Sequence, residues 1–556
     1  MPEPSSLSGG QLVVSTLASL GTERVFCVPG ESYLPVLDAL YDSDITTTVC
    51  RHESGAAMMA EATAKLSGQP GICFVTRGPG ATNASAGIHI AAQDSTPVIL
   101  FVGQISRHDR YREVFQEVDY RQFFGGMAKW VAEVDEASRL QEIILRAWHT
   151  AINGRPGPVV IVLPEETLTD AATPVRVPPI HATHNGLSAT QIANFTSALA
   201  QAKRPIAIVG GSRWSPSSVT AFQQFALQLG LPVACAFRRQ MLFDHQHPCY
   251  AGDLGLGANP ALCERVRESD LVVLVGTRLS DIASQGHTLL NLPVPQQSVV
   301  HIHPGDSETG SLYQPALAIH TTPVGLSDYL ETLVKDLPAD SDKQQQAAQA
   351  HEQYLAWSSL DQSHPDGALM REVMEQLAQT IPNAIITNGA GNYASWIHRF
   401  WRFRHYGTQV APTSGSMGYG LPAGIAAKLA VPEQPVITFA GDGCFQMTGQ
   451  ELATAVQYHI GVVVLVIDNG MYGTIRMHQE KHYPGRVSAT DIVNPDFAAL
   501  ARSYGAYGAT VTQPGEFASA LTEACQHTQH VVPEHRTPAL IHIKTNPAVI
   551  TPVTVL

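Results

Sequence analysis

Asp442 and Asn469 are the side chains whose setting points most directly to chemistry. Gly441-Asp442-Gly443 closes an apolar run, Val436 to Ala440, and Asp468-Asn469-Gly470 closes a second, Gly461 to Ile467. Between them Leu452, Ala455, Val456 and His459 fall at helical spacing, and Thr448 with Glu451 reads as a capping box. Strand, helix, strand predicts two parallel neighbours with their tips side by side. In an open α/β sheet that carboxyl edge is where ligands bind. There Asp442, the Asn469 amide oxygen and a carbonyl just beyond it could share one hard cation, Mg²⁺, whose remaining ligands would be diphosphate oxygens. The flanking glycines let backbone approach such a ligand, and a helix N-terminus favours its charge. Asp-Gly and Asn-Gly are also ordinary turn dipeptides. Their place at the ends of consecutive strands around one helix favours the site.

Arg51-His52-Glu53 opens a run rich in small residues, Gly55, Ala56, Ala57, Ala60, Ala62 and Ala64, which predicts a tightly packed helix. A carboxylate at the head of such a helix can lose its water. Desolvation raises its pKa and suits it to share a proton with a ring nitrogen. The plainer reading of Glu53 is a first-turn acid favoured by the helix dipole. Gly78-Pro79-Gly80-Ala81-Thr82-Asn83 follows the strand GICFV and nearly matches a dinucleotide fingerprint. An NAD site predicts a small residue at Asn83 and an acid ending the next strand, but that strand ends in Gly103-Gln104, so the NAD reading fails.

The elements that position these residues follow from length and composition. The chain has 556 residues, 15% charged and 44% hydrophobic, with a formal net charge of -14. It is globular, long enough for about three or four domains, and disfavours non-specific nucleic acid or anionic membrane binding. Its eight cysteines are scattered, without metal-ligand spacing, as expected for buried free thiols in a reducing compartment. No signal peptide and no membrane span is predicted, and a cytoplasmic location is expected. Two stretches, 171–190 and 337–366, read as polar linkers. They divide the chain into domains 1–175, 188–336 and 365–556, each alternating apolar strands with helical segments. The first and last share a plan: strand, Gly-rich turn, small-residue helix, strand. The middle one has the pattern of a nucleotide-binding sheet without a complete G-x-G-x-x-G.

Gly-Asp-Gly, 24 residues, then Asp-Asn closely resembles the motif of the thiamine diphosphate-dependent enzymes, in which the last pair is usually Asn-Asn. Asp468 replaces the first Asn. The family's metal ligand is the second, here Asn469, joined by Asp442 and the carbonyl of Met471. Thr76–Asn83 is similar to the family's T-S-G-P-G-x-x-N segment, with Arg77 in place of a small residue. Gly415–Pro422 is similar to its G-x-M-G-x-G-L-P segment, in which Met417 would bend the cofactor. The resemblance implies an α/β fold of three doubly wound parallel-sheet domains: pyrimidine-binding, central Rossmann-like and diphosphate-binding. It implies thiamine diphosphate and Mg²⁺ as cofactors. Glu53 would contact the aminopyrimidine and drive formation of the ylide. Cofactor contacts would come from Pro29, Gly30, Glu53, Thr76, Pro79 and Asn83. The last third would add Ala390, Gly391, Asn392, Tyr393, Gly415, Met417, Gly441, Asp442, Gly443, Cys444, Asn469, Met471, Tyr472, Gly473 and Thr474.

The resemblance covers essentially the whole chain and is closest to the acetohydroxyacid (acetolactate) synthase branch. Val28-Pro29-Gly30-Glu31-Ser32, Gly103-Gln104 and Phe115-Gln116-Glu117 match in order and spacing. It implies a substrate pocket with Glu31, Ser32, Phe115, Gln116 and His478, in which Gln116 would hydrogen-bond substrate oxygens. Several positions depart from that branch. His478 stands where it has a Trp, Glu165 where it has a Lys, and Glu31 where it has a small residue. The flavin motifs of the central domain are eroded, which counts against FAD and leaves it open. The expected function is a carboligase or lyase acting on 2-oxo acids or aldehydes through an enamine. An acyl-CoA lyase, a 2-oxo acid decarboxylase and an inactive nucleotide-binding or regulatory homologue are the alternatives. Related enzymes bury their site between chains, so a homodimer is the minimum expected and a homotetramer is common in the family.

Overall fold

A computed structural model describes residues 6–335 and 337–556. Residues 1–5, on which the signal-peptide expectation partly rests, and Asp336, the last residue of the predicted central domain, lie outside them. The principal strands form three six-stranded, all-parallel sheets among the described residues. The N-terminal sheet holds β1 (Arg24–Cys27), β2 (Thr46–Val49), β3 (Gly71–Val75), β4 (Val98–Gln104), β5 (Trp130–Glu133) and β6 (Pro158–Pro164), in the order β2-β1-β3-β4-β6-β5. The central sheet holds β7 (Pro205–Val209), β8 (Val233–Ala236), β9 (Tyr250–Leu254), β10 (Leu271–Val275), β11 (Ser298–Ile302) and β12 (Leu317–Ile319). Its order, β9-β8-β7-β10-β11-β12, is that of a dinucleotide-binding fold. The C-terminal sheet holds β13 (Ile385–Asn388), β14 (Gln409–Val410), β15 (Val436–Gly441), β16 (Val463–Asp468), β17 (Tyr507–Val511) and β18 (Ala539–Lys544). Its order, β14-β13-β15-β16-β18-β17, repeats that of the N-terminal sheet. The shared plan of the first and last thirds is therefore a shared topology.

The inner strands are apolar without alternation, as in Leu271–Val275, because helices cover both sheet faces. Helix α1 (Glu53–Ser67) starts on an extended His52 whose Nδ1 accepts the Ser54 N–H. It stops at Gly68, which adopts φ 72°, a left-handed cap that glycine reaches without strain. The small residues of α1 serve close packing. Ala56, Ala57 and Ala60 share one core with Leu421, Ala423 and Ala427 in the C-terminal domain.

One expectation fails. Within 337–366, read as a linker, residues Ser341–Trp357 form a 17-residue helix, α2, capped by Asp340. Ala347, Ala350 and Tyr354 are buried in the core of the central domain, which therefore extends through this helix. The Gln-rich composition concealed a narrow apolar face.

Candidate active site

Strands β15 and β16 pair in parallel, Gly441 opposite Ile467, so the two tips stand side by side as their spacing predicts. The switch point of this sheet lies between β13 and β15, where strand order reverses. The turns Gly389–Tyr393 and Gly441–Gly443 end those strands and open into a cleft of about 460 Å³. All fifteen C-terminal cofactor positions expected from sequence, from Ala390 to Thr474, line it. Met417 is among them, packed against the domain core.

Asp442 starts a short helix, α3 (Asp442–Gln446), and is 3% exposed. Its Oδ1 accepts the Gly443 N–H at 2.9 Å; its Oδ2 accepts the Gly470 N–H at 3.0 Å and Asn494 Nδ2 at 2.7 Å. Burial pushes its pKa up to about 6, against hydrogen bonds from Asn494 and Gly443. The neighbouring Asp468 behaves oppositely. Burial would raise it too, but His542 Nε2 at 2.8 Å, the Gly470 N–H and Asn494 hold it at about 2. The Asn494 amide gives one N–H to each carboxylate, both at 2.7 Å. Thus, among the described residues, Asp468 has a basic partner and Asp442 has none, although both are largely enclosed. A buried carboxylate without a cation is the group that a divalent ion would neutralise. Asn469 and Met471 line the same cleft, and an amide oxygen and a backbone carbonyl are donors of the kind that fits Mg²⁺. No group of three or more His, Cys, Asp or Glu suited to a metal occurs among the described residues, so further ligands would have to be water or diphosphate oxygens.

Thr448 and Glu451 do not form a capping box. Thr448 Oγ1 donates instead to the Gly418 carbonyl at 2.6 Å, and no side-chain cap bond is present. The Glu451 carboxylate crosses to the N-terminal domain, where it accepts the N–H groups of Arg51 at 3.1 Å and His52 at 2.9 Å. Burial raises its pKa, opposed by Thr454 and those two N–H groups. A Cβ on Gly55 would collide with this carboxylate, so glycine is needed there. Glu451 therefore clamps the head of α1, one residue before Glu53.

Glu53 is half-buried, and its Oε2 accepts Asn83 Nδ2 at 3.0 Å. It follows β2, and its Oε1 adjoins Gly80, just beyond the end of β3. Ser32 Oγ lies 2.9 Å from Thr76 Oγ1, and Gly30 packs on Thr76. Gln116 packs on Gly78 with φ 66°, a strained value for a residue with a side chain. Pro29, Glu31 and Phe115 are exposed. None of these N-terminal residues lines the C-terminal cleft. Within one chain the two expected halves do not line one cavity. His478 is exposed on α4 (Gly473–His482), a helix with no buried residue, and does not line the cleft either.

Sequence reasoning missed the central-domain wall of the cleft, formed by Phe237, Arg238, Leu256 and Ile282, and missed Asn494 and His542. Nothing local marks them, because each acts on a residue distant in the chain.

The central switch point, between β7 and β10, differs. A Cβ on Gly211 would collide with the Gly276 carbonyl, and Trp214 Nε1 donates to the Gly210 carbonyl at 2.9 Å. A side hollow of about 330 Å³ is bordered by Lys65 and Arg239, both committed to Asp94. Strand β8, at whose end a ribose-binding acid would stand, runs from Ala236 into Phe237-Arg238.

The comparisons with known proteins agree with this geometry. Residues 7–123, 192–328 and 389–543 match the N-terminal TPP binding, central and C-terminal TPP binding domains of the thiamine pyrophosphate enzymes. Acetolactate synthase isozyme 2 large subunit of Escherichia coli is 31% identical, covering 93% of each chain. The acetolactate synthase large subunit of Lactococcus lactis is 31% identical over 92% of this chain and 90% of its own. A probable acetolactate synthase large subunit of Methanocaldococcus jannaschii is 30% identical over 93% and 90%. With three matched domains and relatives aligned over about nine-tenths of each chain, this chain belongs to the thiamine pyrophosphate-dependent enzymes, in their acetolactate synthase-like branch.

Proposed function

We propose that the protein is a thiamine diphosphate- and Mg²⁺-dependent carboligase that joins a two-carbon unit from a 2-oxo acid to a second carbonyl compound. The carrying observation is the cleft at the C-terminal switch point, with Asp442 buried in it and lacking a basic partner. Asp442, Asn469 and the Met471 carbonyl would hold the cation, and the turns at Gly389–Tyr393 and Gly441–Gly443 the diphosphate. Met417 would support the cofactor from the core side. When bound, thiamine diphosphate supplies the electron sink for breaking and making the bond next to a carbonyl. The chain's own part is to bind, orient and move protons. Glu53, oriented by Asn83 and by the Glu451 clamp, would hold or deliver a proton at Oε1. Gln116, held in a strained conformation, would position substrate oxygens.

The active unit would be at least a homodimer. Glu53 does not line the cleft of its own chain, Phe115 is 74% exposed, and no residue of α4 is fully buried. A helix of a folded enzyme normally covers one face, and a second copy would do so here. The central domain would serve as wall and spacer, without a dinucleotide.

Calorimetry of thiamine diphosphate with and without Mg²⁺ tests the cofactor site. A screen of pyruvate, glyoxylate and hydroxypyruvate as donors with small aldehydes and 2-oxo acids as acceptors, with product analysis, tests the reaction. Ligated hydroxy ketones or hydroxy acids are expected. Aldehyde as the sole product would make the protein a decarboxylase, and turnover only with a CoA thioester would make it an acyl-CoA lyase.

A further inference from the structure

Three positions that depart from the family pattern, far apart in sequence, meet at one point of the fold. Glu31 follows β1, Arg77 follows β3 and Glu165 follows β6. Arg77 Nη2 donates to Glu31 at 2.9 Å and Nη1 donates to Glu165 at 2.8 Å. Arg77 is 8% exposed, with Nε buried and unpartnered, whereas the two carboxylate side chains are 76% and 47% exposed. Two carboxylates against one guanidinium leave one negative charge in excess, and the acids face outward while the cation sits behind them.

The cluster borders the Glu53 site on two sides. Thr76, next to Arg77, packs on Gly80, which also adjoins Glu53. Gly78, on the other side of Arg77, packs on Gln116. In the C-terminal half-site, which a second chain would bring to this edge, two guanidiniums are already engaged. Arg238 donates to the carbonyls of Pro412 and Gly389, and Arg476, on α4, is paired with Glu480. A substrate carboxylate arriving at this edge meets like charge and finds Arg77 already engaged.

We propose that the Glu31–Arg77–Glu165 cluster sets acceptor specificity, directing the two-carbon unit to an uncharged aldehyde or ketone and away from a second 2-oxo acid. This rests on the carboligase reading. The donor 2-oxo acid loses CO₂. The carbon left behind forms a bond to the acceptor's carbonyl carbon, and the acceptor oxygen takes a proton to become a hydroxyl. No oxidant or reductant is needed.

Competition tests it. The holoenzyme receives the best donor of the screen with equal concentrations of propanal and 2-oxobutanoate, acceptors that differ by one carboxylate, and both products are quantified. The donor step is common to both, so a change in overall rate cancels in the ratio. Wild type is expected to favour the propanal product by about tenfold or more. Glu31→Gln and Glu165→Gln, which leave the buried Arg77 in place, are each expected to shift the ratio toward the acid product by about fivefold or more. Glu31→Asp, which keeps the charge, is expected to retain the wild-type ratio. A wild type that favours 2-oxobutanoate, or a ratio unmoved within about twofold in both Gln variants, overturns the proposal. Donor consumption, read by ferricyanide reduction, without either ligated product also overturns it while leaving the cofactor reading intact. No donor consumption at all removes the carboligase reading and the proposal together.

Discussion

The C-terminal and central sheets are both doubly wound, yet their switch points have opposite characters. At the C-terminal one, the turns after β13 and β15 meet through the Tyr393 ring, on Gly441 and Cys444, yet leave a cleft of about 460 Å³ with a buried Asp442 that has no basic partner among the described residues. At the central one, the turns after β7 and β10 touch through Gly211 and Gly276, and Trp214 covers the end of β7. Two doubly wound sheets of different strand order thus hold an open site in one domain and a closed seam in another. A switch point is only a place where a ligand can bind. The side chains in the crevice decide whether one does.

The comparison can be broken most strongly at Asp442. Asp442→Ala is expected to weaken Mg²⁺-dependent thiamine diphosphate binding by about a hundredfold or more, read by calorimetry. Undiminished binding would remove the cation from the account. Glu53→Gln is expected to lower turnover by about a hundredfold while cofactor binding persists, because a proton-transfer group is lost and no anchor is. Full turnover would assign Glu53 a structural role only. Trp214→Ala sharpens the closed side. It should cost about 3 kcal/mol of stability in denaturant unfolding, the price of emptying a large buried side chain. Thiamine diphosphate affinity should stay within about twofold. The smallest effect concerns pH. His398, on the cleft wall, is held down to about 3 by burial and by the neighbouring Arg238. An imidazole depressed in the folded state contributes stability that is complete above its unfolded pKa, about 6.5, and is lost as pH falls toward the folded value. His398→Gln should therefore flatten the fall of the apoprotein's Tm between about pH 6.5 and 5. An unchanged slope would contradict that.

Legibility in the sequence followed distance along the chain. The tips of β15 and β16, the small-residue helix α1 and the repeated plan of the outer domains are local patterns, and the fold bears them out. The failures are long-range. Glu451 has the spacing of a capping box with Thr448, yet it serves N–H groups 400 residues away in number, at Arg51. Asp468 stands where the family has Asn, and its reason is His542 on β18. Arg77, Glu31 and Glu165 looked like unrelated departures until their strands were set side by side. The helix over Ser341–Trp357 was missed because its buried apolar residues, Ala347, Ala350 and Tyr354, are few and widely spaced among polar ones. In each case the partner is specified by topology, which spacing does not report.

The central claim is that the cleft of one chain is completed by Glu53 of another. Co-expression of two differently tagged variants, Glu53→Gln and Asp442→Ala, with purification of the mixed species, tests it most directly. Each homo-oligomer should be nearly inactive. In a mixed dimer one site would combine an intact Glu53 from the Asp442→Ala chain with an intact Asp442 from the Glu53→Gln chain, so turnover near half that of wild type is expected. A mixed dimer as inactive as either parent would place both residues' work within one chain and contradict the account.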